Sequence, residues 1–105
     1  MTRHAELVRA VLVACYMLPG VYLMPYEAPV AQRGRVTRAL GWAGVSDIVG
    51  WHQRACGCPS WVAFEVKCGR DTLRPEQRAF LDKVNAAGGI ALEIRDVMSA
   101  VNALR

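Results

Sequence analysis

Glu65 and Lys67 stand two residues apart in Trp61-Val62-Ala63-Phe64-Glu65-Val66-Lys67, a run whose other members are apolar. In an extended strand, alternate side chains share a face. Val62, Phe64 and Val66 then line one face, marked as buried, while Trp61, Ala63, Glu65 and Lys67 line the other. This sets a carboxylate beside an ammonium, which taken alone is an ordinary strand-end ion pair. Asp47 supplies a second carboxylate, in Gly44-Val45-Ser46-Asp47-Ile48-Val49-Gly50, at the head of the preceding apolar run. Its plain role there is to cap the turn after the glycine. If the two runs pair as a hairpin, Asp47 and the Glu65–Lys67 end meet at one end of a sheet. A hard divalent cation takes such ligands: two carboxylates, a backbone carbonyl, and waters or phosphate oxygens. An ammonium beside them can hold or polarise the attacking water, which equips a site for in-line attack on a phosphodiester.

Gln77 is an independent sign. On a helix opening at Pro75 it shares a face with Phe80, Leu81 and Val84, at the spacings of a sheet-facing stripe. A glutamine on that stripe must find a hydrogen-bond partner if buried. In an exposed first turn it would simply meet water.

The elements that must position these groups are legible from periodicity and punctuation. Apolar residues at Leu7, Val8, Val11, Leu12, Cys15 and Leu18 predict a helix over Ala5–Leu18, ended by Pro19-Gly20. Val21–Glu27 reads as a strand, with Pro25 making it an edge or irregular one. Ala31–Ala43, with Arg33, Arg35 and Arg38 and two glycines, reads as a basic loop. Ser46–His52 and Ser60–Lys67 are strands joined through the turn-rich Ala55-Cys56-Gly57-Cys58-Pro59. Pro75 to Ala87 is helical with Gly88-Gly89 as its stop. Ile90–Ile94 is a short strand, and Asp96 caps a last helix through Leu104. The order helix, three strands, helix, strand, helix is an α/β plan with a small mixed sheet.

Length and composition bound the rest. At 105 residues, with 53% apolar residues, the chain is one folded domain and no disordered tail. Much of its apolar content is alanine and valine, so the core is thin and a dimer is expected to share apolar surface. The net charge is +4, and eleven of the 13 basic residues are arginine. Arginine grips phosphate in two-point contact, and the balance leans towards nucleic acid. Ala10–Leu18 has the length of a signal-peptide core, but Glu6 and Arg9 interrupt it and no clean cleavage site follows. No apolar run reaches membrane-spanning length. The cytoplasm, with reduced thiols, is the expected compartment. His52, Cys56, Cys58 and Cys68 could be drawn as a zinc site, but Cys-x-Cys is not the usual structural spacing. Trp42, Trp51 and Trp61 belong more naturally to a core or dimer interface than to base stacking.

Gly44-Val45-Ser46-Asp47, then Glu65-Val66-Lys67, then Gln77 followed by Phe80-Leu81 and Gly88-Gly89, resembles the VRR-NUC (virus-type replication-repair nuclease) family of the PD-(D/E)xK nuclease superfamily. The similarity covers most of the chain and is strongest from Gly41 to Ile94. It implies a restriction-endonuclease-like αβββαβ core, with a small mixed central sheet flanked by helices, in one nuclease domain over residues 1–105. The implied activity is a metal-dependent endodeoxyribonuclease acting on branched DNA. Stand-alone members of this size resemble dimeric phage or bacterial Holliday-junction resolvases of recombination and DNA repair. Asp47 and Glu65 would bind Mg²⁺ or Mn²⁺, with the Val66 carbonyl as third ligand. Lys67 would position or activate the attacking water and stabilise the pentacovalent transition state, and Gln77 would orient the lysine or the water.

The family also uses a glutamate on the first helix, for which Glu6 is the candidate, although a helical wheel sets it opposite Leu7, Val11 and Leu18. Ser46 stands where the superfamily name has proline. Arg74 is a poor N-cap before Pro75. Arg33, Arg35, Arg38, Arg70 and Arg74 would contact phosphates around the acidic site. A nuclease for flaps or single-stranded ends is an alternative with the same chemistry. A non-cleaving DNA-binding module is another, but it has no need of acidic groups at its DNA face.

Overall fold

The computed structural model describes residues 2–27, 30–33, 36–39 and 44–105, with 30–33 and 36–39 as strand backbone alone. Its first helix, α1 (Arg3–Tyr16), starts where Thr2 Oγ1 accepts the Ala5 N–H at 3.0 Å. That cap satisfies one of the helix's orphan donors and sets the start two residues before the apolar periodicity begins. Strand β1 (Val21–Pro25) follows after Gly20, whose φ of 74° and contact with the Gln53 carbonyl leave no room for a Cβ. It ends at Pro25, which lacks the N–H to continue a ladder.

A separate two-stranded antiparallel sheet comes next, β2 (Val30–Arg33) paired with β3 (Val36–Ala39). This corrects the expectation of a basic loop over Ala31–Ala43. The arginines obscured two short runs with β-branched Val30, Val36 and Thr37, separated by Gly34-Arg35 at the spacing of a two-residue hairpin. Arg35 lies outside the described residues, as do the side chains of Arg33 and Arg38 and the whole of Trp42.

The main sheet has the order β1-β4-β5-β6, with β4 (Ile48–Gln53), β5 (Pro59–Val66) and β6 (Ile90–Ile94). Antiparallel pairs join β1 to β4 and β4 to β5, and a parallel pair joins β5 to β6. The parallel pair needs a long crossover, which α2 (Pro75–Ala86) provides. The last helix, α3 (Val97–Leu104), is capped by Asp96, whose Oδ1 accepts the Ser99 N–H at 2.8 Å. Among the described residues no helix is long and apolar enough to cross a membrane.

Two cores result, one on each side of the sheet. Val62, Phe64 and Val66 of β5 join Ile48, Ile94, Val11 and Cys15 and the buried face of α3 on one side. Ala63 and Ala91 join Leu81 and Val84 of α2 on the other. The strand alternation read in the sequence is therefore real, and both faces of β5 are covered. Burial of each large aliphatic or aromatic side chain here contributes about 1.5–3 kcal/mol. The second core is small because α2 packs on β5 and β6. Over β1 and β4 no described helix covers the same face, and Tyr22, Met24 and Trp51 there, with Trp61 of β5, are exposed among the described residues. Tyr22 stacks on Trp51 with ring centroids 5.1 Å apart. Trp51 and Trp61 are thus absent from the core.

Candidate active site

Gly44 brings Asp47 to the sheet end. Its φ is 81°, and a Cβ there would collide with the Glu76 carbonyl and the Gln77 amide. The turn can therefore lie directly against the start of α2 only as glycine. From this turn Asp47 leads into β4, and the β4–β5 register sets it beside Glu65. The two residues clasp each other through the backbone. Val66 N–H donates to Asp47 Oδ2 at 2.9 Å, and Asp47 N–H donates to Glu65 Oε2 at 3.2 Å.

Glu65 is almost wholly buried, its side chain 4% exposed. Gln77 Nε2 donates to its Oε1 at 2.7 Å, while Gln77 Oε1 accepts the Arg74 N–H at 2.9 Å. The backbone donor fixes which end of the amide is oxygen, so the NH₂ must face the carboxylate. Gln77 is thus buried on the stripe with Leu81 and Val84 rather than exposed in a first turn. It orients Glu65; its hydrogen bonds run to Glu65 and Arg74 and not to Lys67. Lys67, 8% exposed, sits between Glu65 Oε1 at 3.9 Å and Asp71 Oδ2 at 3.7 Å. Burial, reinforced by the Asp47 charge, pushes the Glu65 carboxyl from 4.5 up to about 7; Lys67, the Asp47 N–H and His4 only partly oppose this.

Sequence reasoning missed His4. Its Nε2 lies 3.2 Å from Asp47 Oδ2 and 3.1 Å from the Val66 carbonyl oxygen. The signal was present, because His4 precedes Leu7, Val8 and Val11 by three, four and seven residues, on the stripe α1 turns to the core. Glu6, the expected first-helix carboxylate, is exposed. Among the described residues, no side-chain hydrogen bond or ion pair ties it to the cluster. Two positions beyond His4, it points about 200° round the helix from it. A cavity of about 420 Å³ opens at His4 and Asp47, with Arg9, Tyr26 and Glu27 on its walls. A larger apolar groove, between Trp61, Val49, Phe80 and Val84, is lined by none of the cluster.

Arg70 and Arg74 are exposed; Arg74 lies next to the cluster through its N–H on Gln77, and its Nε pairs with Glu76 at 3.1 Å. Arg95, also missed, donates from its two terminal nitrogens to the Gly69 and Asp71 carbonyls and from Nε to Glu93. It holds the loop whose Asp71 faces Lys67. Ser46 is fully buried, and among the described residues its Oγ has no partner. All four cysteines are free; Cys56 and Cys58 are exposed and Cys15 lies in the core.

Among the described residues, no three His, Cys, Asp or Glu side chains by themselves form a metal-holding group. Neither the zinc arrangement nor a three-carboxylate cage is present there. A cation at this site needs the Val66 carbonyl as a donor, with Asp47 and Glu65. The donor set suits a hard divalent cation: oxygen-rich, with two neighbouring carboxylates whose mutual repulsion a cation relieves. Comparison with family models, with curated proteins and with solved structures finds no match to this chain.

Proposed function

We propose that this chain is a metal-dependent endodeoxyribonuclease of the VRR-NUC type, with a restriction-endonuclease-like core, that hydrolyses phosphodiester bonds in branched DNA. One observation carries the reading. Asp47, Glu65, Lys67 and Gln77 come from three separate segments and meet in one largely buried cluster at the ends of β4 and β5, in which Asp47, Glu65 and Gln77 are hydrogen-bonded and Lys67 stands at ion-pair distance from Glu65. Asp47, Glu65 and the Val66 carbonyl would hold Mg²⁺ or Mn²⁺, which supplies Lewis-acid neutralisation of phosphate charge when bound.

The remaining tasks fall to the chain's own groups. Lys67 Nζ holds the attacking water and presents positive charge to the pentacovalent phosphorus as negative charge develops. Its near-complete burial strengthens that charge, and Asp71 on the Arg95-anchored loop limits where it can swing. Gln77 keeps the Glu65 carboxylate in one orientation. Arg70 and Arg74 take flanking phosphates, and Arg33, Arg35 and Arg38 join them on the strength of the family resemblance.

The substrate is a four-way junction cut by a homodimer, whose two-fold symmetry matches that of the junction. The aromatic side chains Tyr22, Trp51 and Trp61, exposed among the described residues, support a shared surface between copies. The cytoplasm of a bacterial or phage-infected cell is where such an enzyme meets its DNA. The test is cleavage of a labelled synthetic junction beside duplex, flap and single strand, with Mg²⁺, Mn²⁺ or EDTA. Paired metal-dependent nicks in the junction support the proposal. Cleavage of flaps or ends alone keeps the chemistry and discards the junction. Salt-dependent binding without cleavage of any substrate refutes the enzyme in favour of a DNA-binding module.

A further inference from the structure

We propose that Cys56 and Cys58 form a thiol–disulfide exchange site, a dithiol that takes up the disulfide of a small molecule such as glutathione disulfide and yields it again to small thiols. The pair occupies the turn between β4 and β5, in Arg54-Ala55-Cys56-Gly57-Cys58-Pro59. At about 3.3 Å per residue, the length of β5 from Pro59 to Glu65 sets the turn about 20 Å from the acidic cluster. The exchange site is therefore independent of the metal-dependent reading. Both thiols are free and, among the described residues, exposed, whereas Cys15 lies in the core and Cys68 follows the far end of β5.

The turn holds the two thiols together. Three consecutive Cα atoms span about 7 Å when fully extended, and a bend at the middle residue brings the outer two within disulfide range. Gly57 supplies the bend, with a φ of 86° that favours glycine and open space on the side where a Cβ would stand. Hydrogen bonds fix it on both sides. The Gly57 N–H donates to the Arg54 carbonyl at 2.8 Å, and the Arg54 N–H to the Cys58 carbonyl at 3.4 Å. Gln53 Nε2 donates to the Gly57 carbonyl at 2.5 Å. Within this frame the Cys56 sulfur accepts from both the Cys58 N–H and the Cys58 thiol, so the two sulfurs already face each other. Those donors, with the nearby Arg54 charge, hold the Cys56 thiol below its ordinary range, and exposed thiols of that kind are the reactive ones.

Cys56 is thus the attacking sulfur. Its thiolate attacks one sulfur of the small disulfide, whose S–S bond breaks as one small thiolate leaves with the electron pair. Cys58 then loses its proton to solvent and attacks Cys56 Sγ. The mixed S–S bond breaks, and the second small thiolate leaves; both leaving thiolates take up protons. The chain's two thiols lose two electrons and two protons, and the small disulfide gains them as two thiols. An excess of small thiol runs the same steps backwards. The protein disulfide closes a ring through one intervening residue, too small for relaxed disulfide geometry, and strained, exposed disulfides are the readily reduced ones.

The experiment treats the reduced full chain with dithiobis(nitrobenzoate), and separately with glutathione disulfide, in EDTA, and maps the cysteine peptides by mass. Wild type, Cys56→Ser, Cys58→Ser and Cys68→Ser are compared. In wild type the peptide that carries both cysteines should lose two hydrogens and keep no adduct, with two aromatic thiols released from it. Cys56→Ser and Cys58→Ser should each release one fewer and keep a mixed disulfide on the remaining cysteine. Cys68→Ser should leave the exchange at the turn unchanged, and reduced glutathione in excess should restore both thiols of wild type. Stable adducts on both Cys56 and Cys58 of wild type would show two independent surface thiols and overturn the site. Failure of both to react, or a turn disulfide that reduced glutathione does not open, overturns it equally.

Discussion

Glu65 makes the metal-free protein less stable as pH rises, and Glu65→Gln should abolish that loss. Its carboxyl is raised from 4.5 to about 7, first by burial and then by the Asp47 charge. In the unfolded chain the group ionises near the lower value; in the fold it keeps its proton until the higher one. Between the two the folded state binds more protons, so stability falls with rising pH and levels off above about pH 7. At about 1.4 kcal/mol per pH unit, the whole loss is about 3 kcal/mol. That is a large share of the stability of a small domain. Urea unfolding in EDTA, followed by circular dichroism at pH 5, 6, 7 and 8, measures it. A loss of this size moves the midpoint by about 1–3 M. Glutamine cannot ionise and should remove this part of the slope. It sets its NH₂ against either the Asp47 N–H or the Gln77 NH₂, but that cost is equal at every pH and drops out of the comparison. A variant with the wild-type slope would refute the assignment of a buried, proton-retaining carboxyl at Glu65.

Gln77→Leu should cost about 1–3 kcal/mol for the buried Glu65 carboxylate it strands, and less for the part-buried Arg74 N–H, measured by thermal or urea unfolding. A cost near zero would mean that water replaces the amide. Lys67→Ala should lower metal-dependent cleavage on the order of 10²–10⁴-fold with DNA binding retained, as gel-shift and single-turnover assays can separate. Cleavage at the wild-type rate would remove Lys67 from the chemistry. Phe64→Ala opens a cavity in the main core and should destabilise by about 3–5 kcal/mol, with the melting temperature as readout.

Local patterns recovered most of the fold. The β5 alternation, the α2 stripe, the Asp96 cap and the Ile90–Ile94 strand are each signalled within a few residues, and the structure keeps them. The β2–β3 hairpin is masked by composition: three arginines give a polar, loop-like stretch although two β-branched runs flank Gly34-Arg35. Asp47 and Glu65 could be placed at one sheet end because a hairpin fixes register from both sides of its turn. His4 could not be placed in that way. It reaches across 43 residues to Asp47 and 62 to Val66, a contact set by how α1 crosses the sheet, which no short-range pattern encodes. Its own signal was available, since a polar ring in the first turn of an apolar stripe needs a partner. Glu6 is the carboxylate on that helix, but it lies on the opposite face. Arg95 was invisible for the same reason, bonding a loop 24 to 26 residues earlier in the chain.

Stability alone gives no reason for the cluster. A buried carboxylate kept for structure would be expected to hold a close cation, since a buried ion pair repays desolvation only with excellent geometry. Glu65 instead has Lys67 at 3.9 Å, and Lys67 is shared with Asp71. Its closer contacts are the Gln77 amide and the Asp47 N–H, which orient it without neutralising it. A second carboxylate, Asp47, raises its proton affinity further. An apolar side chain of similar volume would remove both penalties. The chain nevertheless adds glycine at position 44, where a Cβ would collide with α2, to keep Asp47 in place, and a buried glutamine to fix the plane of Glu65. Orientation is thus enforced while neutralisation is withheld. A site that binds a divalent cation from solution has that requirement, because donors already neutralised by side chains would have to release them first.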